Sequence, residues 1–259
     1  MIIDTLAYNS RLRHINPLAK FIFAMSAIII CIAANSFLIS TLTAFSMLFL
    51  IIFKGKTPSK NAFALMKVPM VFIIFSAAAI ALSIGRSGDA MLTAFRINGL
   101  FIGVSLEGLM LALITAAKCF GAVSCMYFLS LTTPMIDLFS LLRKSIIPNF
   151  IVEITELIYR YIFVLFDAAQ RIRTAQNARL GYCNIRVAYR STSALASQIF
   201  MRAFRQAEKT YIAMDSRGYS GEINVPEPKF AKSTGFAVSA AAYIAVMAGM
   251  AVFCREVGI

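Results

Sequence analysis

Two arginines in similar surroundings, 38 residues apart, are the clearest candidates for chemistry in this sequence. The first lies in Ala178-Arg179-Leu180-Gly181 and the second in Ser216-Arg217-Gly218-Tyr219, and each segment closes a helical pattern. Helix capping is one explanation, with glycine in the left-handed conformation and a cation at the negative end of the helix dipole. The other is partner binding, because a planar guanidinium pairs with carboxylates through two parallel hydrogen bonds. Two copies of the pattern favour partner binding.

The sequence contains no catalytic, nucleotide-binding or metal-binding motif. Gly55-Lys56-Thr57 resembles the end of a phosphate-binding loop, but Leu50 stands where the motif requires glycine, and Pro58 follows. The five cysteines form no C-x-x-C pair, and His14 is the one histidine of the chain. We therefore predict no catalytic residues, no metal ligands and no cofactor, and we expect any ATP to be bound by another chain.

The elements that position the two arginines belong to a membrane protein. Of the 259 residues, 59% are hydrophobic and 14% are charged, and the mean hydropathy is +0.77. A soluble domain has about 25% charged residues. The apolar blocks approach the ~20 residues that a membrane-spanning helix needs. We predict an all-α integral membrane protein with about five transmembrane helices, over residues 18–35, 36–53, 66–84, 104–131 and 234–254.

The distribution of basic residues predicts the orientation. The formal charge is +13, and 21 of the 25 Lys and Arg fall in residues 1–20, 54–67 and 132–233. Because cytoplasmic segments collect basic residues, these segments are expected on the inner side of the cell membrane, and no nucleic-acid partner is needed to explain the charge. The opposite side receives Arg86, Arg96 and Arg255. The loop 85–103 is expected outside, dipping back towards the interface.

The chain is thus predicted to have three parts: four spans over residues 1–131, a cytoplasmic region over 132–233 and a last span over 234–259. Within the cytoplasmic region, apolar residues recur with a helical period over 149–180, and again from Leu195 to Met214. Two long amphipathic helices need a partner for their apolar faces. Lipid headgroups, the spans themselves or another protein would each serve.

Glu107 and Lys118 are the ionisable residues most clearly within the fourth span. They are eleven residues apart and lie on roughly the same helix face, three turns from each other. Charges inside a membrane often mark functional sites. An equally acceptable interpretation places Glu107 at the outer interface and pairs Lys118 inside the helix bundle.

Several segments resemble the transmembrane T component of energy-coupling factor (ECF) transporters, and specifically its cobalt-transport subgroup, the CbiQ family. The resemblance covers residues 4 to 222, and its most specific part runs from Ile158-Tyr159-Arg160-Tyr161 to the two arginine segments. The other matching segments are Asp4, Ala7-Tyr8-Asn9-Ser10-Arg11-Leu12-Arg13-His14-Ile15-Asn16-Pro17 with Lys20, Ser105-Leu106-Glu107-Gly108-Leu109 and Leu131-Thr132-Thr133-Pro134-Met135.

The resemblance implies a division of labour. In that family two short Ala-Arg-Gly-like motifs end coupling helices, and each docks on one of two cytoplasmic ATPase subunits. Carried over, the motifs are Ala178-Arg179-Leu180 and Ser216-Arg217-Gly218. A separate membrane S component, with a small auxiliary protein, binds the metal, and this chain transmits the movements of the ATPases to it without catalysing a reaction.

Three alternatives remain open from the sequence. The first is a T component for nickel or a vitamin, since the residues that select the substrate belong to another chain. The second is a membrane-embedded enzyme, which would need clustered carboxylates, whereas the acidic residues between Asp137 and Asp167 are spread over ~45 Å of helix. The third is a secondary transporter, which favours internal repeats and broken helices that this sequence lacks.

Overall fold

The computed structural model describes residues 2–85, 91–97, 100–221, 230 and 234–257. Most of the described chain is helical. The helices are α1 (Ile2–Asn9), α2 (Pro17–Ala33), α3 (Phe37–Phe49), α4 (Ser59–Ala81), α5 (Leu106–Thr132), α6 (Met135–Arg143), α7 (Asn149–Ala178), α8 (Ile185–Asp215) and α9 (Thr234–Val257). A 3-10 turn precedes α2 (Arg11–His14), and a π-helical turn extends α3 (Leu50–Lys54).

Four of the described helical segments are long and apolar enough to cross a membrane. They are Phe37–Lys54, Ser59–Ala81, Leu106–Thr132 and Thr234–Cys254. The helix Pro17–Ala33 is equally apolar but has 17 residues, so it is shorter than the span predicted over 18–35. The helical membrane class predicted from the sequence is confirmed.

The chain divides into two compact units, Met1–Leu138 with Pro228–Ile259, and Phe139–Glu227. In the first unit α5 packs against α2, α3 and α4. The contact depends on Gly121, where an added Cβ would lie 2.6 Å from Cys31 Sγ and 3.0 Å from the Ser40 carbonyl oxygen. Small residues let membrane helices approach this closely. Phe23 of α2 then packs edge to face against Phe128 of α5 and against aromatic rings of α9.

A buried lysine joins the start of α2 to the end of α5. The Lys20 side chain is fully buried, and its Nζ donates hydrogen bonds to the carbonyl oxygens of Leu12 at 3.2 Å and Thr132 at 2.9 Å. Thr132 is the last residue of α5, where the helical hydrogen-bond ladder leaves carbonyls unpaired, and the Leu12 carbonyl also accepts the backbone N–H of Ile15 at the end of the 3-10 turn. Burial raises the pKa of the nearby Asp137 carboxyl, and the charges of Lys20 and Arg13 oppose that rise.

A small antiparallel sheet joins α4 to α5. Its strands are β1 (Leu82–Gly85), β2 (Met91–Ile97) and β3 (Leu100–Ser105), in the order β1-β3-β2. Leu82 pairs with Val104, and Ile97 pairs with Leu100. The sequence predicted a loop here that dips towards the interface, with Arg86 on the outer side. Residues 86–90 and 98–99 of that loop lie outside the described residues, and the rest of it forms strands.

The second unit contains the long helices α7 and α8, which match the two helical patterns of the sequence. α8 begins ten residues before the first apolar residue of the predicted pattern. Arg143 Nη2 forms an ion pair with Glu156 Oε2 at 2.7 Å and ties α6 to α7. Across the helix pair, the Tyr161 hydroxyl lies 2.6 Å from Thr210 Oγ1.

The orientation stays a prediction, and cysteine labelling in intact cells tests it. We expect a cysteine at position 190 to be protected from a membrane-impermeant reagent, because the basic region 132–233 should lie inside. A cysteine at position 88 should be labelled, since it belongs to the predicted outer loop. Labelling after cell lysis is the control for reactivity. Labelling at position 190 in intact cells would contradict the predicted orientation and place the region 132–233 outside.

Candidate functional site

The two arginine segments end their helices with the same hydrogen bonds. At the end of α7, the Leu180 N–H donates to the Asn177 carbonyl at 3.0 Å and the Gly181 N–H donates to the Gln176 carbonyl at 2.8 Å. At the end of α8, the corresponding bonds run from Gly218 to Asp215 at 2.9 Å and from Tyr219 to Met214 at 3.1 Å. Both pairs form the Schellman arrangement of helix C-termini. Arg179 and Arg217 therefore hold the same position, one residue before the left-handed residue.

At the end of α7, the residue in the left-handed conformation is not the glycine that the capping pattern predicted. Leu180 takes this conformation with φ 58°, and Gly218 takes it with φ 76°. Gly181 follows Leu180 for another reason, because an added Cβ would lie 2.8 Å from the Gln176 carbonyl oxygen and 2.9 Å from Ser191 Oγ. The glycine thus permits close packing, and the strained residue is Leu180. The two motifs, Ala178-Arg179-Leu180 and Ser216-Arg217-Gly218, are equivalent residue by residue.

Both arginine side chains are available for binding. All six motif residues are exposed. Neither the Arg179 nor the Arg217 guanidinium forms a hydrogen bond or an ion pair with another residue of the described chain. Leu180 leaves 72% of its surface exposed although the left-handed conformation costs a leucine roughly 1–2 kcal/mol. Strain at a largely exposed residue is more typical of a binding site than of a folding device.

A tyrosine after each motif fixes the helix end. The Tyr182 hydroxyl donates to Gln176 Oε1 at 2.8 Å, and Gln176 Nε2 donates to the Ser191 carbonyl at 2.9 Å. The Tyr219 hydroxyl donates to Glu153 Oε2 at 3.1 Å, and Glu153 is 4% exposed. The sequence showed both tyrosines but not their partners, since Glu153 lies 66 residues before Tyr219. Both motifs are consequently held on α7, one at its end and one near its start.

The apolar faces of α7 and α8 are left largely open. No residue of α8 is buried, and aromatic side chains such as Phe200 and Phe204 are exposed. A groove of about 380 Å³ runs between the two helices. Its lining includes Ile154, Ile158, Ile162, Ala203, Ala207 and Met214. Exposed apolar surface of this extent is typical of an interaction site.

Other residues considered from the sequence do not assemble into a chemical site. Among the described residues, no group of three or more His, Cys, Asp or Glu side chains is placed to hold a metal ion. Glu107 is exposed in the first turn of α5. Lys118 donates a short hydrogen bond to Asn35 Oδ1, so it pairs with a neighbouring helix turn and not with Glu107.

Known proteins resemble this chain over most of its length. An uncharacterized protein of Methanocaldococcus jannaschii is 37% identical over 86% of this chain and 82% of its own length. A putative fused cobalt transport protein CbiMQ of Methanocorpusculum labreanum is 32% identical over 98% of this chain, which covers 42% of the fused protein. The cobalt transport protein CbiQ of Salmonella typhimurium is 28% identical over 86% of this chain and 99% of its own length.

The family model called CbiQ, cobalt transport protein, matches residues 8–227. That range contains α2 to α8 and both arginine motifs. The resemblance stated from the sequence segments is thereby confirmed, and the chain belongs to the CbiQ family of cobalt transport proteins.

Proposed function

We propose that this chain is the coupling subunit of an ATP-driven, ECF-type cobalt importer. The chain is a membrane component of a cobalt or ECF transporter, as its family and its membrane-spanning helices show. The proposal adds that it binds two cytoplasmic ATPase subunits and transmits their movements to a separate membrane S component. That S component, working with a small auxiliary protein, would bind the metal. The chain itself would be non-catalytic.

The observation that carries this proposal is the pair of equivalent arginine ends. Two helices that finish with the same backbone geometry and the same free guanidinium suit two copies of one docking groove. An ATPase dimer offers two such grooves. A guanidinium that enters a carboxylate-lined groove gains paired, charge-assisted hydrogen bonds, which are stronger than those between neutral groups. We therefore assign one motif to each ATPase subunit.

The open apolar surface supports a second contact. The exposed faces of α7 and α8 need a partner, and a membrane S component or lipid supplies apolar surface of the right kind. Because Tyr182 and Tyr219 hold both motifs on α7, a displacement of either ATPase is transferred to this helix. The helix spans ~45 Å at 1.5 Å per residue, which makes it suitable as a lever.

The transported substrate is the second part of the proposal. Cobalt rests on the family and on the names of the cobalt transport relatives. A relative from Exiguobacterium sibiricum, 29% identical over 82% of this chain, is named an ECF transporter transmembrane protein EcfT, which keeps nickel and vitamin substrates as the alternative.

Reconstitution tests the proposed function. We expect a tagged chain, expressed with its neighbouring genes, to recover two ATPase subunits and a membrane S component. Proteoliposomes containing the complex should then take up radioactive cobalt only when ATP is supplied on the ATPase side. Nickel and vitamins are the competing substrates. Purification of the chain without any ATPase, or turnover of a lipid by the chain alone, would refute the proposal.

Leu180 offers a prediction that separates docking from folding. Replacement of Leu180 by Gly removes the left-handed strain together with a side chain that is 72% exposed, so we expect the free energy of unfolding to stay equal or to rise by about 0.5 kcal/mol. If the side chain is buried in the ATPase, the same change should weaken docking by about tenfold, since a buried leucine contributes about 1.5–3 kcal/mol. Leu180→Asn is the matched variant, because asparagine tolerates the left-handed conformation but is polar. Unchanged ATPase recovery with both variants would limit the docking contact to Arg179.

A further inference from the structure

Lys118 places a cation near the middle of a membrane span. It follows Leu106 by twelve residues and precedes Thr132 by fourteen within α5. At 1.5 Å per residue, ~18 Å of helix lie on one side of it and ~21 Å on the other. A lysine at this depth is costly in a bilayer and is seldom kept without a function.

The partner of Lys118 within this chain is neutral. Its Nζ donates to Oδ1 of Asn35, which lies in the tight turn between α2 and α3 and has φ 48°. No carboxylate of the described residues lies within 4.0 Å of this ammonium group. Glu107 is eleven residues away on the same helix, or ~16 Å. The asparagine orients the ammonium group but leaves its charge uncompensated.

The helix hairpin of α2 and α3 ends at the same depth. Lys20 binds the Thr132 carbonyl at one end of α5, and thirteen residues later α2 ends at Ala33. That distance is ~20 Å, so the hairpin turn lies at the level of Lys118, and a further ~18 Å of α5 extends beyond it to Leu106. The α2–α3 hairpin therefore does not cover the half of α5 that begins at Leu106.

Although α4 packs on α5, the half of α5 that begins at Leu106 keeps large apolar side chains exposed. Met110, Leu111 and Leu113 are each more than half exposed, and they lie one to two turns from Lys118 on the side of Leu106. Lys118 itself is half-buried, so its charge is reachable from the side. A second transmembrane helix packed on the Lys118 face would cover Leu111, two turns away on the same face, and a carboxylate on it would neutralise the lysine.

We propose that Lys118, held by Asn35, receives an Asp or Glu side chain from a transmembrane helix of a partner subunit. The inference rests on the proposed function, which supplies a separate membrane subunit. Charge complementarity specifies the occupant, because an anion is what a lone cation at this depth lacks. An ion pair at mid-membrane also fixes the depth at which two helices meet. Apolar packing alone fixes that depth less strictly. An anionic lipid headgroup is disfavoured because such headgroups lie at the interface, and Lys118 is far from either end of α5.

A hydrophobic carbodiimide tests the proposal on the unmodified complex. Dicyclohexylcarbodiimide adds to carboxyl groups within membranes to give an O-acylisourea, and a neighbouring lysine amine then displaces dicyclohexylurea and forms an amide bond. We expect a cross-link between this chain and the membrane subunit, mapped by mass spectrometry to Lys118 and an Asp or Glu. A cross-link is not expected from Lys118→Arg, since a guanidinium does not react in this way. Absence of the cross-link in the wild-type complex would overturn the proposal.

Variants give the second measurement. Lys118→Met should lower recovery of the membrane subunit at least tenfold, and Lys118→Arg should restore most of it, while ATPase recovery stays unchanged in both. Lys60→Met, at an exposed lysine in the first turn of α4, is the control. Full recovery of the membrane subunit with Lys118→Met would overturn the proposal. The proposal would also be overturned if native mass spectrometry showed that this variant loses a bound anionic lipid but keeps the membrane subunit. If the wild-type chain recovers neither ATPase nor membrane subunit, the proposed function fails instead.

Discussion

Replacement of both Arg179 and Arg217 by Ala is expected to abolish ATP-driven cobalt uptake while the chain still folds and inserts. Each arginine lies at a helix C-terminus, where its favourable interaction with the dipole contributes about 0.3–1 kcal/mol at an exposed site. Truncation of one partner in a buried, hydrogen-bonded charge pair costs about 2–5 kcal/mol. The loss of docking should therefore exceed the loss of capping.

The single variants refine the expectation. Arg179→Ala and Arg217→Ala should each weaken ATPase association at least tenfold, because each removes one of two docking contacts. Lysine at either position should rescue only in part, since an ammonium group lacks the planar fork of a guanidinium. Arg171→Ala and Arg202→Ala are matched controls, as each removes an exposed arginine from the same helix away from its end.

The measurement is recovery of the ATPases with each tagged variant, together with uptake in proteoliposomes. Size-exclusion chromatography and thermal unfolding in detergent check that the variants are folded. Normal ATPase recovery with the double variant would leave Arg179 and Arg217 as helix caps. It would also remove the main residue-level support for the proposed function.

The ends of α7 and α8 show which structural details could be predicted from the sequence and which could not. The helical patterns that end at Gly181 and Gly218 predicted the ends of α7 at Ala178 and α8 at Asp215 to within three residues. The sequence did not show that Leu180, and not Gly181, is left-handed, because that choice depends on the close approach of Gly181 to the Ser191 side chain. Contacts between helices decide such details, and a single sequence does not reveal them.

The small sheet was missed for a different reason. Strand signals were present, since Asn98-Gly99 is a pair typical of two-residue hairpin loops and it stands between the paired residues Ile97 and Leu100. The apolar residues on either side were instead assigned to spans and to an interfacial loop. Short apolar runs do not distinguish strand from helix by periodicity alone.

Lys20 is one of the basic residues that predict the inner side, and nothing in the sequence indicates its burial. Its two acceptors are eight and 112 residues away in the chain, so no local pattern indicates them. The sequence used Lys20 only as one of the basic residues of segment 1–20 that indicate the inner side. In the structure, the Lys20 ammonium group instead donates hydrogen bonds to the carbonyl oxygens of Leu12 and Thr132.

Lys20→Met is expected to lower the free energy of unfolding by about 3 kcal/mol or more. Hydrogen bonds made by charged groups contribute about 1.5–3 kcal/mol each, and this change removes two of them while methionine keeps most of the apolar stem. The carbonyls of Leu12 and Thr132 would then be buried without this donor. Lys20→Arg should not restore stability, because a guanidinium is larger than the fully enclosed site allows. Thermal unfolding in detergent, with Lys60→Met as the control, measures the effect.

The destabilisation should also depend on pH, through Asp137. Burial raises the pKa of this carboxyl, and Lys20 lowers it, so the Lys20→Met variant has a higher Asp137 pKa than the wild type. An acid whose pKa is higher in the folded than in the unfolded state binds a proton on folding, and stability then rises as the pH falls through the folded-state pKa. The stability difference between variant and wild type should thus narrow on mild acidification. A difference that is constant with pH would show that Lys20 acts through its two carbonyl contacts alone, and equal stability at every pH would show that the buried ammonium group contributes nothing to this junction.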